Sequence, residues 1–223
     1  MDGNGRWAER RGLPRLRGHE EGAESVTAVL QACRERGIRY LTLYAFSAEN
    51  WRRPRAEIAG LMDLLRRFLR DREAELHRDR VRLRVIGHLE DLPADVRGEL
   101  RRVMEQTRRY REHHLILALS YGGRAEIADA ARRVAEEVAA GRLLPARVNE
   151  RVFRRYLYVP DVPDPDLMIR TSGEIRLSNF LLWQLSYAEL YFTPTLWPDF
   201  REAEFASALD EYARRRRRYG GLA

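Results

Sequence analysis

The first seven residues, Met1-Asp2-Gly3-Asn4-Gly5-Arg6-Trp7, combine a carboxylate, two glycines and a guanidinium group. Glycines allow the close backbone approach and the positive φ with which consecutive N–H groups can surround a phosphate. Arg6, Arg15 and His19 can add side-chain charge to such a site. The spacing therefore predicts a phosphate-binding loop, and an Asn-Gly hairpin turn beside a solvated arginine is the alternative that it leaves open.

A second polar string follows a predicted strand that ends at Phe46. It runs Ser47-Ala48-Glu49-Asn50-Trp51-Arg52-Arg53-Pro54 and brings hydroxyl, carboxylate, amide and guanidinium groups close together. Loops after strand ends are where α/β proteins carry their sites. An ordinary helix start, with Asn50 as the cap of a helix that Pro54 continues, explains the same residues. Both interpretations stay open on spacing alone.

A third string, from Ile169 to Phe180, follows another predicted strand and holds Arg170, Arg176 and Ser178. Planar guanidinium groups bind diphosphate oxygens in pairs, so this string predicts an anion site. Further on, Glu189 stands in an apolar and aromatic segment, where an unpaired carboxylate is costly. Glu189 therefore needs a partner, either a metal ion or an arginine.

Other conspicuous residues are explained without a site. The aspartates at 161, 164 and 166 alternate with prolines, which is typical of a loop that enters a strand. His113 and His114 are adjacent in an extended segment and point to opposite faces of it. The arginine run 214–218 fits the last turn of a helix, where the helix dipole favours positive charge. Contact of that run with nucleic acid or anionic lipid is the alternative.

The elements that must position these strings are predicted from apolar periodicity. Strands are predicted at residues 40–46, 81–86, 115–119, 167–170 and 188–192, and helices around residues 26–33, 58–69, 96–104, 125–140 and 201–218. This alternation predicts an α/β fold, a single domain over residues 1–223 with a mostly parallel central sheet and helices on both faces. Ligands bind such sheets at the carboxyl ends of their strands.

Composition excludes several classes of enzyme. All 41 basic residues among the 223 are arginine, so Schiff-base, pyridoxal-phosphate, P-loop and protein-kinase chemistry are excluded because each needs a lysine amine. A net charge of +7 favours an anionic partner: nucleic acid, a diphosphate ester or an anionic lipid surface. Cys33 is expected to be a small core residue. With no signal peptide and no run of about 18 apolar residues, we expect a cytoplasmic protein.

Six strings in order carry a resemblance to a known family: MDGNGRWA, GHEEGAESV, LTLYAFSAENWRRP, SYGGRAEI, IRTSGEIRLSNFLLWQ and YAELYFTPTLWPDF. They resemble the cis-prenyltransferases, or Z-isoprenyl diphosphate synthases, and among these the bacterial undecaprenyl diphosphate synthases. The resemblance covers essentially the whole chain. It implies a homodimeric, Mg²⁺-dependent α/β synthase that condenses isopentenyl diphosphate onto an allylic diphosphate such as farnesyl diphosphate. Each new double bond is cis, and an undecaprenyl- or decaprenyl-type lipid carrier for cell-wall synthesis is the expected product.

The resemblance also implies roles for single positions. Asp2 matches the family's essential aspartate, which holds Mg²⁺ and assists departure of the diphosphate, and Glu189 matches the second metal-associated carboxylate. The implied allylic diphosphate site contains Gly3, Asn4, Gly5, Arg6, Trp7, Arg15 and His19. The implied site for isopentenyl diphosphate contains Arg170, Arg176, Leu177 and Ser178. The implied loop over the reacting ends contains Ser47, Ala48, Glu49, Asn50, Trp51 and Arg53.

Within that loop, Asn50 matches the position to which the family assigns proton acceptance. A neutral amide is a weak base, and a diphosphate oxygen is the better proton acceptor. An apolar tunnel for the growing chain is expected beside the helix that carries Leu61, Leu65 and Phe68. A plain packed core explains this apolar stripe equally well.

The chain departs from the family pattern at three places. The family's first strand leads into the Asp-Gly-Asn-Gly loop, whereas here Met1 directly precedes Asp2. We therefore expect the first strand to be missing, unless another strand fills the gap. His88 stands where the family often has aspartate, and Ser120 where asparagine commonly precedes Tyr-Gly-Gly-Arg.

Other functions remain as alternatives. A short-chain Z-prenyl diphosphate synthase or a noncatalytic subunit would share the fold, and product length stays open. Only the net charge suggests an arginine-rich nucleic-acid-binding protein. Because charge by itself is weak support for that function, we expect no nucleic-acid partner. Because a long prenyl product must leave into a bilayer, peripheral contact with the inner face of the membrane is expected.

Overall fold

A computed structural model describes residues 1–215 of the chain. Its helices are α1 (Asn4–Glu9), α2 (Arg15–Glu35), α3 (Arg55–Arg78), α4 (Ala94–Thr107), α5 (Gly123–Ala139), α6 (Glu150–Arg154) and α7 (Glu202–Arg214). Its strands are β1 (Tyr40–Ser47), β2 (Val81–Ile86), β3 (His113–Tyr121), β4 (Leu167–Arg170) and β5 (Glu189–Phe192). The predicted strands and long helices are all present, but α2 begins 11 residues before the predicted position 26 and α3 ends nine residues after the predicted position 69. Positions 216–218 of the predicted last helix lie outside the described residues.

Strand β3 is the centre of the larger sheet. All of its residues after His113 are buried, because helices and loops cover both faces. It pairs in parallel with β1 on one side and with β2 on the other, so the order is β1-β3-β2. Parallel strands require long return connections, and α3 and α4 are those connections. The predicted α/β fold with a parallel sheet is therefore confirmed.

The sequence predicts one central sheet, whereas the described residues form two. Strands β4 and β5 pair in parallel with each other and form a separate small sheet. The facing sides of β1 and β4 line a cavity of about 1050 Å³, and Met1 and Asp2 line it as well. No strand lies between β1 and β4 among residues 1–215.

Helices cover both faces of the larger sheet. One face packs against α2, α3 and α4 through residues such as Val29, Leu69 and Val103, and Cys33 is buried there as predicted. The other face packs Ile116 and Tyr121 against the chain around Leu181. Within the described residues, no helix is long and apolar enough to cross a membrane. The carboxyl ends of β1 and β3 therefore belong to a sheet that is covered on both faces.

Candidate active site

The Asp-Gly-Asn-Gly string forms the start of α1. Gly3 precedes the helix with φ +108°, and a Cβ on it would lie 2.9 Å from Leu196 Cδ2. A Cβ on Gly5 would lie 2.6 Å from the guanidinium of Arg15. Gly3 is therefore required by its backbone angle, whereas a side chain at Gly5 would displace the guanidinium of Arg15. Because helix α1 begins at Asn4, the hairpin alternative is wrong.

Asp2 is held in place by its backbone and its side chain. Its N–H donates to Thr171 Oγ1 at 2.9 Å, and its carbonyl accepts from Thr171 Oγ1 at 2.8 Å and from the Trp197 N–H at 3.0 Å. Its carboxylate accepts from Arg170 at 3.0 Å and from Arg6 at 3.4 Å. Burial opposes ionisation, but the hydrogen bond and charge of Arg170 outweigh it and hold the pKa of Asp2 below its usual range. Asp2 is therefore a positioned anion.

Arg170 connects the start of the chain to the third string. Its Nη1 donates to Ser178 Oγ at 2.7 Å and to the carbonyl of Arg176, while its Nη2 binds Asp2. Its side chain is only 13% exposed, and its buried Nε has no partner among the described residues. A buried guanidinium donor without a partner is costly, so Arg170 retains hydrogen-bonding capacity for a ligand.

Arg6 and Arg176 complete the positive side of this site. Arg6 Nη2 donates to Ser172 Oγ at 2.5 Å, and Arg6 Nη1 lies 3.4 Å from Glu174. Arg176 pairs with the same glutamate and is 59% exposed. Because the Arg176 guanidinium is on the surface, it can turn towards a bound anion. The predicted residue Leu177 lines the large cavity beside them.

The second string forms a short 3₁₀ helix, Ala48–Arg52. Asn50 Oδ1 accepts from the Ser47 N–H at 3.1 Å and so caps this turn, while Pro54 stands at the start of α3. The interpretation that Asn50 is the N-cap of the helix continued by Pro54 is therefore wrong: Pro54 is the N-cap residue of α3, and Asn50 is the third residue of a capping box whose N-cap is Ser47. Glu49 Oε1 accepts from Asn179 Nδ2 at 3.0 Å, which ties this turn to the third string.

Arg15, His19 and Arg53 meet beside the first turn of α1, where they line a second cavity. Arg53 donates to Glu57 at 3.1 Å, and Arg15 Nε lies 3.7 Å from the same carboxylate. Burial, with the charge of Arg53, lowers the pKa of His19 to about 4. The expectation that His19 adds charge is therefore wrong near neutral pH. Its buried Nε2 has no partner among the described residues, so His19 offers a neutral polar contact.

The second cavity has a volume of about 240 Å³ and joins the polar mouth to an apolar interior. Its mouth includes Asp2, Arg6 and Asn50, and Leu61, Leu65, Phe68 and Leu119 are among its apolar lining. The apolar stripe of α3 therefore lines open space in addition to packed core. An extended hydrocarbon chain attached to a phosphate fits this combination of surfaces.

Some predicted site residues lie apart from both cavities. Trp7 donates to Asp199 Oδ1 at 2.6 Å and carries the guanidinium of Arg11 on its ring at 4.0 Å. Trp51 points to the far side of its turn, where Nε1 donates to Ser120 Oγ at 2.9 Å. Ala48 lines neither cavity. These residues support the loops and do not face the cavities.

Glu189 is not brought to Asp2 within the chain. It begins β5 opposite Leu167, whereas Arg170, which holds Asp2, is opposite Phe192 at the other end of the pair. Three steps of a strand separate these positions by about 10 Å. Glu189 accepts a hydrogen bond from Arg215 Nη1 at 3.0 Å. The sequence analysis required either a metal ion or an arginine as the partner of Glu189, and the structure shows an arginine.

The donor set at Asp2 still suits a magnesium ion. No cluster of three or more His, Cys, Asp or Glu side chains able to hold a metal occurs in the described part of the chain. Mg²⁺ is commonly bound by one or two carboxylates, with phosphate oxygens and water as its other ligands. A single anionic aspartate beside the arginines fits that pattern, provided that a diphosphate is bound.

Sequence reasoning missed several residues that shape the site. Thr171 forms hydrogen bonds with the backbone of Asp2, and Ser172 accepts one from Arg6. Asn179 donates to Glu49 and so connects the third string to the second. Ser172, Ser178 and Asn179 adopt positive φ, a backbone strain that concentrates at functional sites. These residues lie inside the third string, so their position there was the one signal that could have found them.

Comparison with known proteins agrees with this geometry. The family model "Putative undecaprenyl diphosphate synthase" matches residues 1–220. The chain is 53% identical to isoprenyl transferase 2 of Bradyrhizobium diazoefficiens, covering 100% of this chain and 88% of the relative. It is 52% identical to the isoprenyl transferase of Thermotoga maritima, covering 100% and 94%.

Two solved structures share the fold. Lavandulyl diphosphate synthase from Lavandula x intermedia, in complex with dimethylallyl diphosphate, has a TM-score of 0.95 at 37% identity and covers 99% of this chain and 95% of its own. A probable undecaprenyl diphosphate synthase from Campylobacter jejuni has a TM-score of 0.80 at 40% identity, with 90% and 92% covered. Because the family model, the sequence relatives and the solved structures agree with the fold and its motifs, we conclude that the chain belongs to the isoprenyl transferase family of cis-prenyl diphosphate synthases.

Proposed function

We propose that this protein condenses isopentenyl diphosphate with an allylic diphosphate such as farnesyl diphosphate and releases a cis-polyprenyl diphosphate of the undecaprenyl or decaprenyl type. The observation that carries the proposal is the position of Asp2. Its carboxylate lies between Arg170 and Arg6 at the point where the two cavities meet. Anion-binding groups for two diphosphates and an apolar space for a chain thus converge on one carboxylate.

The allylic diphosphate is assigned to the smaller cavity, with its hydrocarbon against Leu61, Leu65 and Phe68. Breaking the allylic C–O bond leaves negative charge on the departing pyrophosphate. The guanidinium groups of Arg6, Arg15 and Arg53 border that cavity and would stabilise this charge. A Mg²⁺ ion held by Asp2 would supply further positive charge to the leaving group.

Isopentenyl diphosphate is assigned to Arg170, Arg176 and Ser178. The new bond joins C1 of the allylic substrate to C4 of isopentenyl diphosphate, and a proton then leaves C2. The Asn50 oxygen already accepts a hydrogen bond from Ser47 and belongs to a neutral amide. A diphosphate oxygen is therefore the proposed proton acceptor, and Asn50 shapes the turn that lies over it.

The test is incubation of the protein with farnesyl diphosphate, labelled isopentenyl diphosphate and Mg²⁺. Labelled product that can be extracted with an organic solvent is expected. Asp2→Asn should abolish its formation, whereas Asp161→Asn, which removes another arginine-paired aspartate, should not. Absence of product from the folded wild-type protein, also after a strand is joined ahead of Met1, would overturn the enzyme proposal and favour a noncatalytic subunit.

A short-chain product is the second candidate, and the size of the smaller cavity favours it. Ligand cavities usually span about 300–1,000 Å³, whereas this one has about 240 Å³. A product of eleven isoprene units would need α2 and α3 to move apart or the chain to leave the cavity. Mass spectrometry of the product distinguishes the two candidates directly.

We also propose a homodimer. Ile175 and Tyr187 are 79% and 82% exposed in the single chain, and Leu190 on β5 is 37% exposed. Exposed apolar side chains and open sheet edges are commonly covered by a second subunit. Analytical ultracentrifugation should give twice the mass of the chain, and a monomer at all concentrations would contradict this proposal.

A further inference from the structure

The end of the molecule opposite the site carries the connections that enter the strands. Parallel strands begin at the same edge of a sheet, and β1, β2 and β3 begin at Tyr40, Val81 and His113. The helices between them return the chain antiparallel to the strands, so their last turns lie at this same edge. The connections are residues 36–39, 79–80, 108–112 and the segment 140–149 after α5, together called the basic end surface.

The basic end surface holds most of the net charge of the protein. Its connections contain eight arginines and two acidic residues, Asp79 and Glu112, whereas the whole chain has a net charge of +7. The connection that enters β4 adds Asp161, Asp164 and Asp166 nearby. Asp161 pairs with Arg84 at 2.6 Å and Asp164 with Arg154 at 3.2 Å, so neither of these two neutralises an arginine of the surface.

Several guanidinium groups on this surface have no carboxylate partner. Four of the eight arginines are ion-paired with carboxylates. Within residues 1–215, no ion pair within 4.0 Å is formed by the other four, which are Arg39, Arg109, Arg111 and Arg147. Arg39 instead donates to the carbonyl of Arg111 at 3.1 Å. Burial and the charges of Arg84 and Arg111 lower the pKa of neighbouring Arg82. Because the other four arginines of the surface are ion-paired, the uncompensated positive charge at this end belongs to the four unpaired arginines.

Exposed apolar side chains lie in the same surface. Leu144 is 65% exposed and Val148 is 39% exposed, and Arg147 lies between them in the chain. Apolar side chains interleaved with arginines are typical of segments that rest on anionic membranes. A nucleic-acid surface uses the same positive charge mainly for contacts with phosphates, which exposed aliphatic side chains do not make. The combination favours lipid.

We propose that the basic end surface docks on an anionic lipid bilayer, with Leu144 and Val148 entering the interface. The proposal rests on the proposed function in one respect, that the product is a lipid. Helix α3 starts at the active-site end and ends at this one, and its residues Leu61, Leu65 and Phe68 line the apolar cavity in that direction. Docking here would direct the growing tail towards the bilayer while the diphosphates stay in water.

The test is co-sedimentation with vesicles, which needs no turnover. The wild-type protein should bind vesicles containing phosphatidylglycerol, bind pure phosphatidylcholine weakly, and release in high salt. The variant Arg39→Gln/Arg109→Gln/Arg111→Gln should bind about 100-fold more weakly, at about fivefold for each charge. The matched variant Arg10→Gln/Arg55→Gln/Arg124→Gln removes the same charge from the opposite end and should bind as the wild type does. Leu144→Ser/Val148→Ser should weaken binding without changing its salt dependence.

Equal loss of vesicle binding in both triple variants would overturn the proposal, because binding would then depend on the net charge of the protein and not on the basic end surface. Tight binding of duplex DNA with no vesicle binding would also overturn it in favour of nucleic acid. Thermal unfolding of each variant shows that the fold is retained. Prenyl synthesis measured in detergent separates the two proposals, since an inactive protein that binds vesicles contradicts only the proposed function.

Discussion

Replacement of Arg170 by lysine tests the assignment of the isopentenyl diphosphate site, because it keeps the charge and removes the planar fork. Arg170 uses its two terminal nitrogens in different directions, one for Ser178 at 2.7 Å and one for Asp2 at 3.0 Å. A lysine ammonium places its donors on a single nitrogen and lacks both the second terminal nitrogen and the Nε donor of the fork. Hydrogen bonds to charged groups contribute about 1.5–3 kcal/mol each. Loss of the hydrogen bond that the unpartnered Arg170 Nε would donate to the bound diphosphate should therefore raise KM for isopentenyl diphosphate about 10- to 100-fold.

Arg176→Lys is the matched variant on the exposed side of the same site. The Arg176 side chain is 59% exposed and pairs only with Glu174. Its replacement should change the free energy of unfolding by less than about 0.5 kcal/mol. We expect KM to rise with kcat unchanged, whereas Arg170→Lys should also lower kcat because Asp2 loses its anchor. Steady-state kinetics with labelled isopentenyl diphosphate give both constants, and unchanged KM in both variants would place the site elsewhere.

Three further outcomes are expected. Because burial lowers the pKa of His19 from 6.5 to about 4, the unfolded chain takes up the proton first as pH falls. Stability should therefore drop by about 2 kcal/mol between pH 7 and pH 5, and urea unfolding of His19→Gln should lack this contribution. Leu65→Trp reduces the apolar cavity and should shorten the product in mass spectrometry, whereas the surface change Leu144→Trp should not; equal products would contradict the assigned tail site. Ser120→Ala removes the hydrogen bond from Trp51 and should lower kcat about fivefold, and Ser120→Asn should restore kcat. An unchanged kcat in the alanine variant would show that the position of Trp51 does not depend on this hydrogen bond.

Local patterns predicted the secondary structure well. Alternating apolar residues and arginines identified β2, and the apolar stripe from Ile58 to Leu69 identified α3. These patterns are local because side-chain direction repeats with the period of each element. They also placed the second and third strings after strand ends, where the structure has them.

Properties that depend on distant neighbours could not be predicted. His19 carries no charge near neutral pH because it is buried beside Arg53, which lies far from it in sequence. Glu189 is paired with Arg215 rather than brought to Asp2, since the register of β4 and β5 sets its position. Asn50 is held by its own turn, although the sequence allowed either a cap or a reacting group.

The sequence by itself determined the family, the parallel α/β architecture and the arginine chemistry, because motif order, periodicity and the lack of lysine are properties of the chain alone. Tertiary structure alone decided that Asp2 meets Arg170 across 168 positions, and that the α3 stripe lines a cavity. It also gathered the unpaired arginines at one end of the molecule. Each of these depends on packing between elements distant in sequence, where ion pairs, burial and empty space arise only once the chain has folded.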